Sequence, residues 1–473
     1  MKKLKDLIKC NYDIPIYGIK TNSKEVLKGD LFIAIKGFNV DHHEYIEDAI
    51  EKGAVAVISE KEIDTQLPVI VVKNTNKTLP KILDKFYDNI EDNFTFIGVT
   101  GTDGKTTTST IIHKILSKYY KCANIGTNGI DYNDLHIDTD NTTPSMEKMY
   151  EYLKILNEKG CKYITMETSS EALLHKRVEN IKYNVGILTN ITEDHLNIHK
   201  TKSNYIKCKS KLFKQVKDDR YSILNYDDKY YEVIKKSCNG KVITYGRDIN
   251  SDFRITSIKE KKKTKFYIET KNKKYKLSTN LKGIYNIYNI TAAFTACYLL
   301  GLTPKKIIKE ISNLSIPGRG ERLDFGQKYT IILDYAHTTN GIKSILSTLS
   351  VNKKNRIISV TGSAGGREKE KRREMGKITS DLSDLVIFTM DDPRYEEPEN
   401  IIKEMTQDIE KNNYLKIVDR KEAIYKALSL AKPNDIVVIL GKGRDNYMAI
   451  KDKKTKYSDY EVIKSFFNLP WHN

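Results

Sequence analysis

The chain has 473 residues, too many for a single hydrophobic core, and at roughly 150 residues per domain its length points to about three domains. A net charge of +18 would suit a nucleic-acid partner, but the basic residues are interleaved with acids, as in "EKEKRREMGK", which describes a solvated, Lys-biased surface and not a binding stripe. Six scattered cysteines without a C-x-x-C pair encode neither a zinc site nor a disulfide framework, and no apolar run reaches the ~20 residues of a membrane span, so a cytoplasmic protein that is not embedded in a membrane is expected.

The first ninety residues hold short β-like runs, "GDLFIAIKG", "AVAVISE" and "LPVIVVKN", with a helical pattern in "HEYIEDAIEKGA", a small α/β unit that closes near "LPKILDKFYDNI". From about residue 91, apolar runs each stop at a polar loop: "FTFIGV" meets "TGTDGKTTT", "KYITM" meets "ETSSEALLHKR", and "YNVGIL" meets "TNITEDHLNIH". Helical stretches separate them, the order expected of a parallel sheet. The run after "DINSDFRITSI" alternates like an antiparallel ribbon and gives way to the helix "NIYNITAAFTACYLLGL". "SIPGRGERLDFG" marks a turn and a linker. The last third repeats the theme, with "TIIL" before "DYAHTTNG", "RIISV" before "TGSAGGREKEKR", "DLVIFT" before "MDDPR" and "DIVVIL" before "GKGRD". Domains are therefore expected over 1–90, 91–318 and 319–473. Ligands of open α/β sheets bind outside the carboxyl ends of strands, so two loop-rich edges suggest two half-sites that face each other.

"GVTGTDGKTTTST" resembles a phosphate-binding loop, although Val99 stands where the G-x-x-x-x-G-K-[ST] pattern has its first glycine. Gly101 and Gly104 allow close backbone approach to phosphates, and the helix that follows offers its N-terminal amides. Lys105 is placed to neutralise phosphate charge and Thr106 to offer a hydroxyl to Mg2+. Glu167, Asp194 and His195 lie at neighbouring strand ends, where a carboxylate and a hydroxyl suit a hard cation shared with phosphates.

In order along the chain, "TGTDGKTTT", "NTTPS", "METSS", "NITEDHLNIHKT", "GIYNIYNITAA", "PGRGERLDF", "DYAHT" and "GSAGGREKEKRREMG" resemble the signature blocks of the Mur ligases, and of their MurE branch in particular. The resemblance covers essentially the whole chain, and that family's shorter loop, T-G-T-[ND]-G-K-T, accounts for the missing glycine. It implies an α/β protein of three domains, a central P-loop-type parallel-sheet ATPase flanked by a small N-terminal α/β domain that holds UDP and a C-terminal Rossmann-like domain that brings the amino acid. It implies that ATP phosphorylates the D-glutamate carboxylate of a UDP-N-acetylmuramoyl dipeptide and that an amine displaces the phosphate to give an amide.

Site residues follow from the same resemblance. Gly101, Thr102, Asp103, Gly104, Lys105, Thr106, Thr107, Asn286, Asn289, Arg319, Asp334 and His337 would surround ATP. Lys105, Glu167, His195 and Lys209 would be catalytic, with Mg2+ at Thr106, Glu167, His195 and Lys209. Lys209 would act there as a CO2-derived carbamate, although from the residues alone Lys207, Lys209 and Lys211 look like ordinary exposed helix lysines. Ser23 would lie at the UDP, and Thr142, Thr143, Ser169, His175 and Arg177 would bind the muramoyl dipeptide. Glu171 and His175 depart from the family, which often has His and Gln there.

The amino acid would meet Arg367, Asp391, Asp392, Arg394, Gly441 and Asp445. The family's meso-diaminopimelate enzymes read D-N-P-R where this chain has Asp391-Asp392-Pro393-Arg394. Arg394 suits a distal carboxylate, or else forms a salt bridge to Glu396 or Glu397. Asp392 puts a second negative charge where the family has a neutral amide, which favours an ammonium such as that of lysine, and Asp445 is one methylene shorter than the family's common Glu. Meso-diaminopimelate is preferred and L-lysine is the alternative. Another Mur-type or folylpolyglutamate ligase and a nucleic-acid-stimulated P-loop ATPase are remoter readings. The expected partners are these small molecules, without nucleic acid, for a monomeric enzyme.

Overall fold

The computed structural model describes residues 1–467 except 38, 39, 140, 193–195, 262, 367 and 368, with 196, 197 and 352 described in their backbone alone. Three sheets succeed one another along the chain. The first is parallel and four-stranded, in the order Ile19–Lys20, Leu31–Ile33, Ala56–Ser59, Val69–Val71. Leu31, Phe32 and Ile33 are all fully buried because both faces are covered, so this strand reads as a continuous apolar run without alternation.

The central sheet has eleven strands. At its heart Thr95–Thr100 lies between Tyr163–Glu167 and Tyr183–Leu188, all parallel, with Glu167 opposite Val99 and Leu188 opposite Thr100. That register brings three carboxyl ends, and the polar loops that follow them, to one edge. Phe96 joins the core on one face, whereas Ile97 and Val99 join the core on the other, where helices Lys105–Leu116 and Ile284–Leu299 pack together. The expected ribbon is present as Phe253–Glu260, Thr264–Glu269 and Lys274–Thr279, paired antiparallel.

The third sheet has six strands. Thr330–Asp334, Ile436–Leu440, Ile357–Thr361 and Leu385–Phe388 run parallel in that spatial order, which aligns the ends that carry "DYAHT", "GKGRD", "GSAGG" and "DDPR". "SIPGRGERLDFG" is only partly a linker: Glu321–Leu323 pairs antiparallel with Thr330–Asp334 as an edge strand, leaving the turn to the residues around Gly318 and Gly320, both at positive φ.

Candidate active site

The loop after Thr95–Thr100 is shaped by its neighbours. Gly104 precedes helix Lys105–Leu116 at φ +83°, a left-handed conformation that favours glycine. A Cβ on Gly101 would stand 1.8 Å from Thr189 Oγ1, so only hydrogen fits there. Thr189 Oγ1 and Asn190 Nδ2 both donate to the Asp103 carbonyl, at 2.6 and 3.0 Å, and fasten the loop to the end of the adjacent strand. Lys105 Nζ donates to the carbonyls of Gly101 and Thr102, at 3.0 and 2.7 Å, and is thus stored on the loop that it is expected to serve.

Thr106 and Glu167 meet beneath this loop, with Thr106 Oγ1 donating to Glu167 Oε2 at 2.8 Å. Glu167 is 1% exposed, and its other oxygen accepts the Thr127 N–H at 2.8 Å. Lys209 differs from its neighbours. Lys207 and Lys211 are exposed, but Lys209 is buried on the inner face of helix Lys202–Lys214, 2.6 Å from the Gly101 carbonyl and over the Tyr205 ring. The reading of Lys209 as an ordinary exposed lysine is therefore corrected. His195 lies outside the described residues. One buried carboxylate and one hydroxyl fit a Mg2+ ion that completes its shell with phosphate oxygens, and among the described residues no three His, Cys, Asp or Glu form a cage of their own.

Thr142 contacts Thr127 through their hydroxyls at 3.2 Å. Thr143 is fully buried and donates to the Glu167 carbonyl, while Arg177 Nη1 donates to the Thr143 carbonyl at 3.2 Å. Ser169 caps helix Ser170–Leu174, and His175 is exposed at its far end. Ser23 is buried in the first domain, in a separate cavity of about 200 Å³ beside Asn22, His42 and Tyr45.

Three cavities meet between the second and third sheets. One of about 430 Å³ runs from Gly104 and Thr107 past Asn286 and Asn289 to Arg319 and Asp334. One of about 240 Å³ holds Lys105, Thr106, Thr142, Glu167, Ser169, Arg177 and Lys209. The third, of about 580 Å³, is lined by Asp391, Asp392, Arg394, Gly441 and Asp445. Tyr335, His337 and Thr338 line all three. Asp334 fixes this segment by accepting the N–H groups of Gly320 and Ala336, at 2.5 and 2.7 Å. Burial raises the Asp334 pKa, with Arg319 and those amides opposing it. Arg319 stacks on the Tyr335 ring at 4.4 Å.

In the third cavity Arg394 has no ion-pair partner among the described residues. The alternative pairing with Glu396 is corrected, because Glu396 is held by both terminal nitrogens of fully buried Arg372, at 2.7 and 2.8 Å, and accepts the Gly366 N–H. Those contacts hold the Glu396 carboxyl low, at about 2, with Arg372 the main cause. Asp392 is already engaged by a cation of the chain, since Lys442 Nζ donates to its Oδ1 at 2.8 Å. Arg367 lies outside the described residues.

Models of known families match three segments: the Mur ligase family catalytic domain over 15–89, the Mur ligase middle domain over 99–297 and the Mur ligase glutamate ligase domain over 318–443. UDP-N-acetylmuramoyl-L-alanyl-D-glutamate–2,6-diaminopimelate ligases from Clostridium tetani and Clostridioides difficile are 38% and 40% identical to the chain. They cover 98% and 96% of it, with 97% and 96% of their own lengths matched. The chain belongs to the Mur ligase family. A solved structure of a ligase with the same name superposes with a TM-score of 0.69 at 27% identity over 99% of both chains. Mur ligases form C–N bonds with ATP, and the three-domain α/β architecture is that of the family.

Within this Mur ligase, the sequence-derived ATP residues gather around the first two cavities, and the described amino-acid residues gather around the third. Sequence reasoning missed Thr127, Thr338 and Lys442. Lys442 stands inside a quoted motif, "GKGRD", but a lysine between glycines gives no sign of burial.

Proposed function

We propose that this Mur ligase adds meso-2,6-diaminopimelate to UDP-N-acetylmuramoyl-L-alanyl-D-glutamate. The observation that supports this best is the meeting of three cavities on the segment from Tyr335 to Thr338, since a nucleotide, an activated carboxylate and an amine must converge on one point. The names of the relatives agree with it.

In this reading the dipeptide carboxylate oxygen attacks the γ-phosphorus and ADP departs. The amine nitrogen then attacks the acyl carbon, forms the C–N bond, loses a proton and expels phosphate. Carboxylate oxygen is a poor leaving group and phosphate is a good one. Lys105 would leave its loop carbonyls for the phosphates, and Thr106, Glu167 and Lys209, the last as a carbamate, would hold Mg2+ with His195. When bound, the cation would neutralise charge on the transferring phosphoryl group. Arg177, Ser169, Thr142 and Thr143 hold the dipeptide, Ser23 the UDP, Arg367 the α-carboxylate and Arg394 the distal carboxylate. The domain boundaries at 90 and 318, a monomeric state, a cytoplasmic setting and independence of nucleic acid belong to the same proposal.

Purified enzyme with ATP and the UDP-dipeptide is expected to release ADP faster with diaminopimelate than with lysine. Faster turnover with lysine, which Asp392 and Asp445 would favour, would transfer the assignment to that substrate. Carbon-13 NMR with labelled CO2 is expected to show a carbamate signal that Lys209→Gln abolishes; a wild-type spectrum without it would remove the carbamate.

A further inference from the structure

Lys442 has no part in the reaction outlined above, yet it is buried against three aspartates of the amino-acid cavity. It follows Gly441 at the end of strand Ile436–Leu440 and is 1% exposed. Its Nζ lies 2.8 Å from Asp392 Oδ1, 3.7 Å from Asp445 Oδ2 and 3.8 Å from Asp391 Oδ1, and 5.2 Å from the centre of the Tyr447 ring. The three aspartates line the cavity, and Lys442 sits behind them, outside its lining. Burial alone would lower the Lys442 pKa, but Asp391, Asp392 and Asp445 outweigh it and leave it raised, so the ammonium stays charged.

The consequence concerns balance. Asp392 Oδ1 accepts from both Lys442 Nζ and the Ala449 N–H, at 2.8 and 2.9 Å, which fixes that carboxylate. The lining carries five carboxylates, Glu370, Glu374, Asp391, Asp392 and Asp445, and four cations, Lys202, Lys229, Lys371 and Arg394, while Lys442 meets the three aspartates from behind. Without Lys442 the aspartate end of the cavity would lose the cation that sits against all three acids, and a second carboxylate brought to Arg394 would meet their repulsion. A bare ammonium would then be the better ligand.

We propose that Lys442 is a specificity-positioning residue, which fixes Asp392 and offsets its charge so that a distal end bearing both ammonium and carboxylate is accepted beside Arg394. The proposal rests on the reading of this cavity as the amino-acid site and extends it to a residue that does not touch the substrate. Asp392 and Lys442 then act as a pair, the lysine compensating for the acid that stands where the family's diaminopimelate enzymes have Asn.

The test compares kcat/KM for diaminopimelate with kcat/KM for lysine. Lys442→Met is expected to lower that ratio about tenfold, the scale of one lost charge-assisted contact. Asp392→Asn is expected to raise it, and the double variant, which removes one charge of each sign, to return it to within about threefold of wild type. A Lys442→Met enzyme that loses both activities equally would make Lys442 a structural tie alone and overturn the proposal. Should Lys442→Met fail to fold, the double variant is compared with Asp392→Asn. A lower ratio in the double supports the proposal and an equal one overturns it. A wild-type preference for lysine would overturn the substrate assignment while leaving the direction of these changes decisive for Lys442.

Discussion

Thr106 is the residue whose role the geometry narrows most. Its hydroxyl, 2.8 Å from the Glu167 carboxylate, is the one side-chain oxygen of the helix's first turn in contact with that acid. Thr106→Val is expected to lower kcat about 100-fold, near 2.7 kcal/mol, with a smaller change in the KM for the dipeptide, whereas Thr106→Ser retains most activity. Steady-state kinetics of the two variants checks this. Asp445 gives the pH dependence. Burial pushes its carboxyl up to about 7, with Asp391 and Asp392 adding to the rise and Lys442 and Arg319 opposing it. Tyr335 and Tyr447 also face it. A raised carboxyl keeps its proton until the pH passes that value, and only the ionised form pairs with an ammonium. The KM for the amino acid is therefore expected to fall from about pH 6 to about pH 8, and Asp445→Asn to flatten the profile. Residue identity was legible wherever a motif carried it, as with Gly104, Lys105 and Thr106. Burial was not legible: nothing in "NYIKCKSKLF" sets Lys209 apart from Lys207 and Lys211, because the helical face that meets the phosphate loop is decided by packing against strands far away in sequence.

At the scale of elements, the two loops that would grip the amino acid are stitched together. Gly365 N–H donates to the Asp392 carbonyl at 2.8 Å, Gly366 N–H donates to Glu396, and Arg372 joins Glu396 to Glu404 and to the Ala364 carbonyl. A Cβ on Gly365 would stand 1.9 Å from the Pro393 carbonyl oxygen, so Gly365→Ala must push the loops apart. The expected result is a KM for the amino acid raised about tenfold or more with nucleotide affinity unchanged, measured by kinetics and calorimetry. The strands under these loops were legible because apolar runs that end in glycine-rich polar loops have few other readings in an α/β chain. The stitches were not, since they join residues some thirty positions apart through backbone groups and a buried arginine. The edge strand Glu321–Leu323 escaped for a similar reason: three residues amid glycines carry no periodicity, and their pairing with Thr330–Asp334 supplies what the local sequence lacks.

At the scale of the whole molecule, the second and third sheets touch through Thr338, whose hydroxyl donates to Asp103 Oδ1 at 3.1 Å while accepting the Gly341 N–H at the start of helix Thr339–Asn352. One hydroxyl thus joins the phosphate loop to the segment that lines all three cavities. A nonhydrolysable ATP analogue is expected to tighten amino-acid binding, and the amino acid to tighten binding of the analogue by the same factor, because such coupling is reciprocal. Thr338→Val should reduce that factor, and calorimetry in both orders measures it; equal affinities with and without the analogue would count against coupling. The facing of two half-sites was legible from the two sets of strand-end loops, but the Thr338–Asp103 contact between them was not. The shared segment also bears on fidelity. An acyl phosphate in water is lost to hydrolysis, and in the proposed reaction Tyr335, His337 and Thr338 would stand at its cavity as well as at those of nucleotide and amine. In the proposed reaction the intermediate would be shielded only while that strip covers both neighbours. Damage to that strip should therefore appear first as futile turnover, with more ATP consumed per amide bond made.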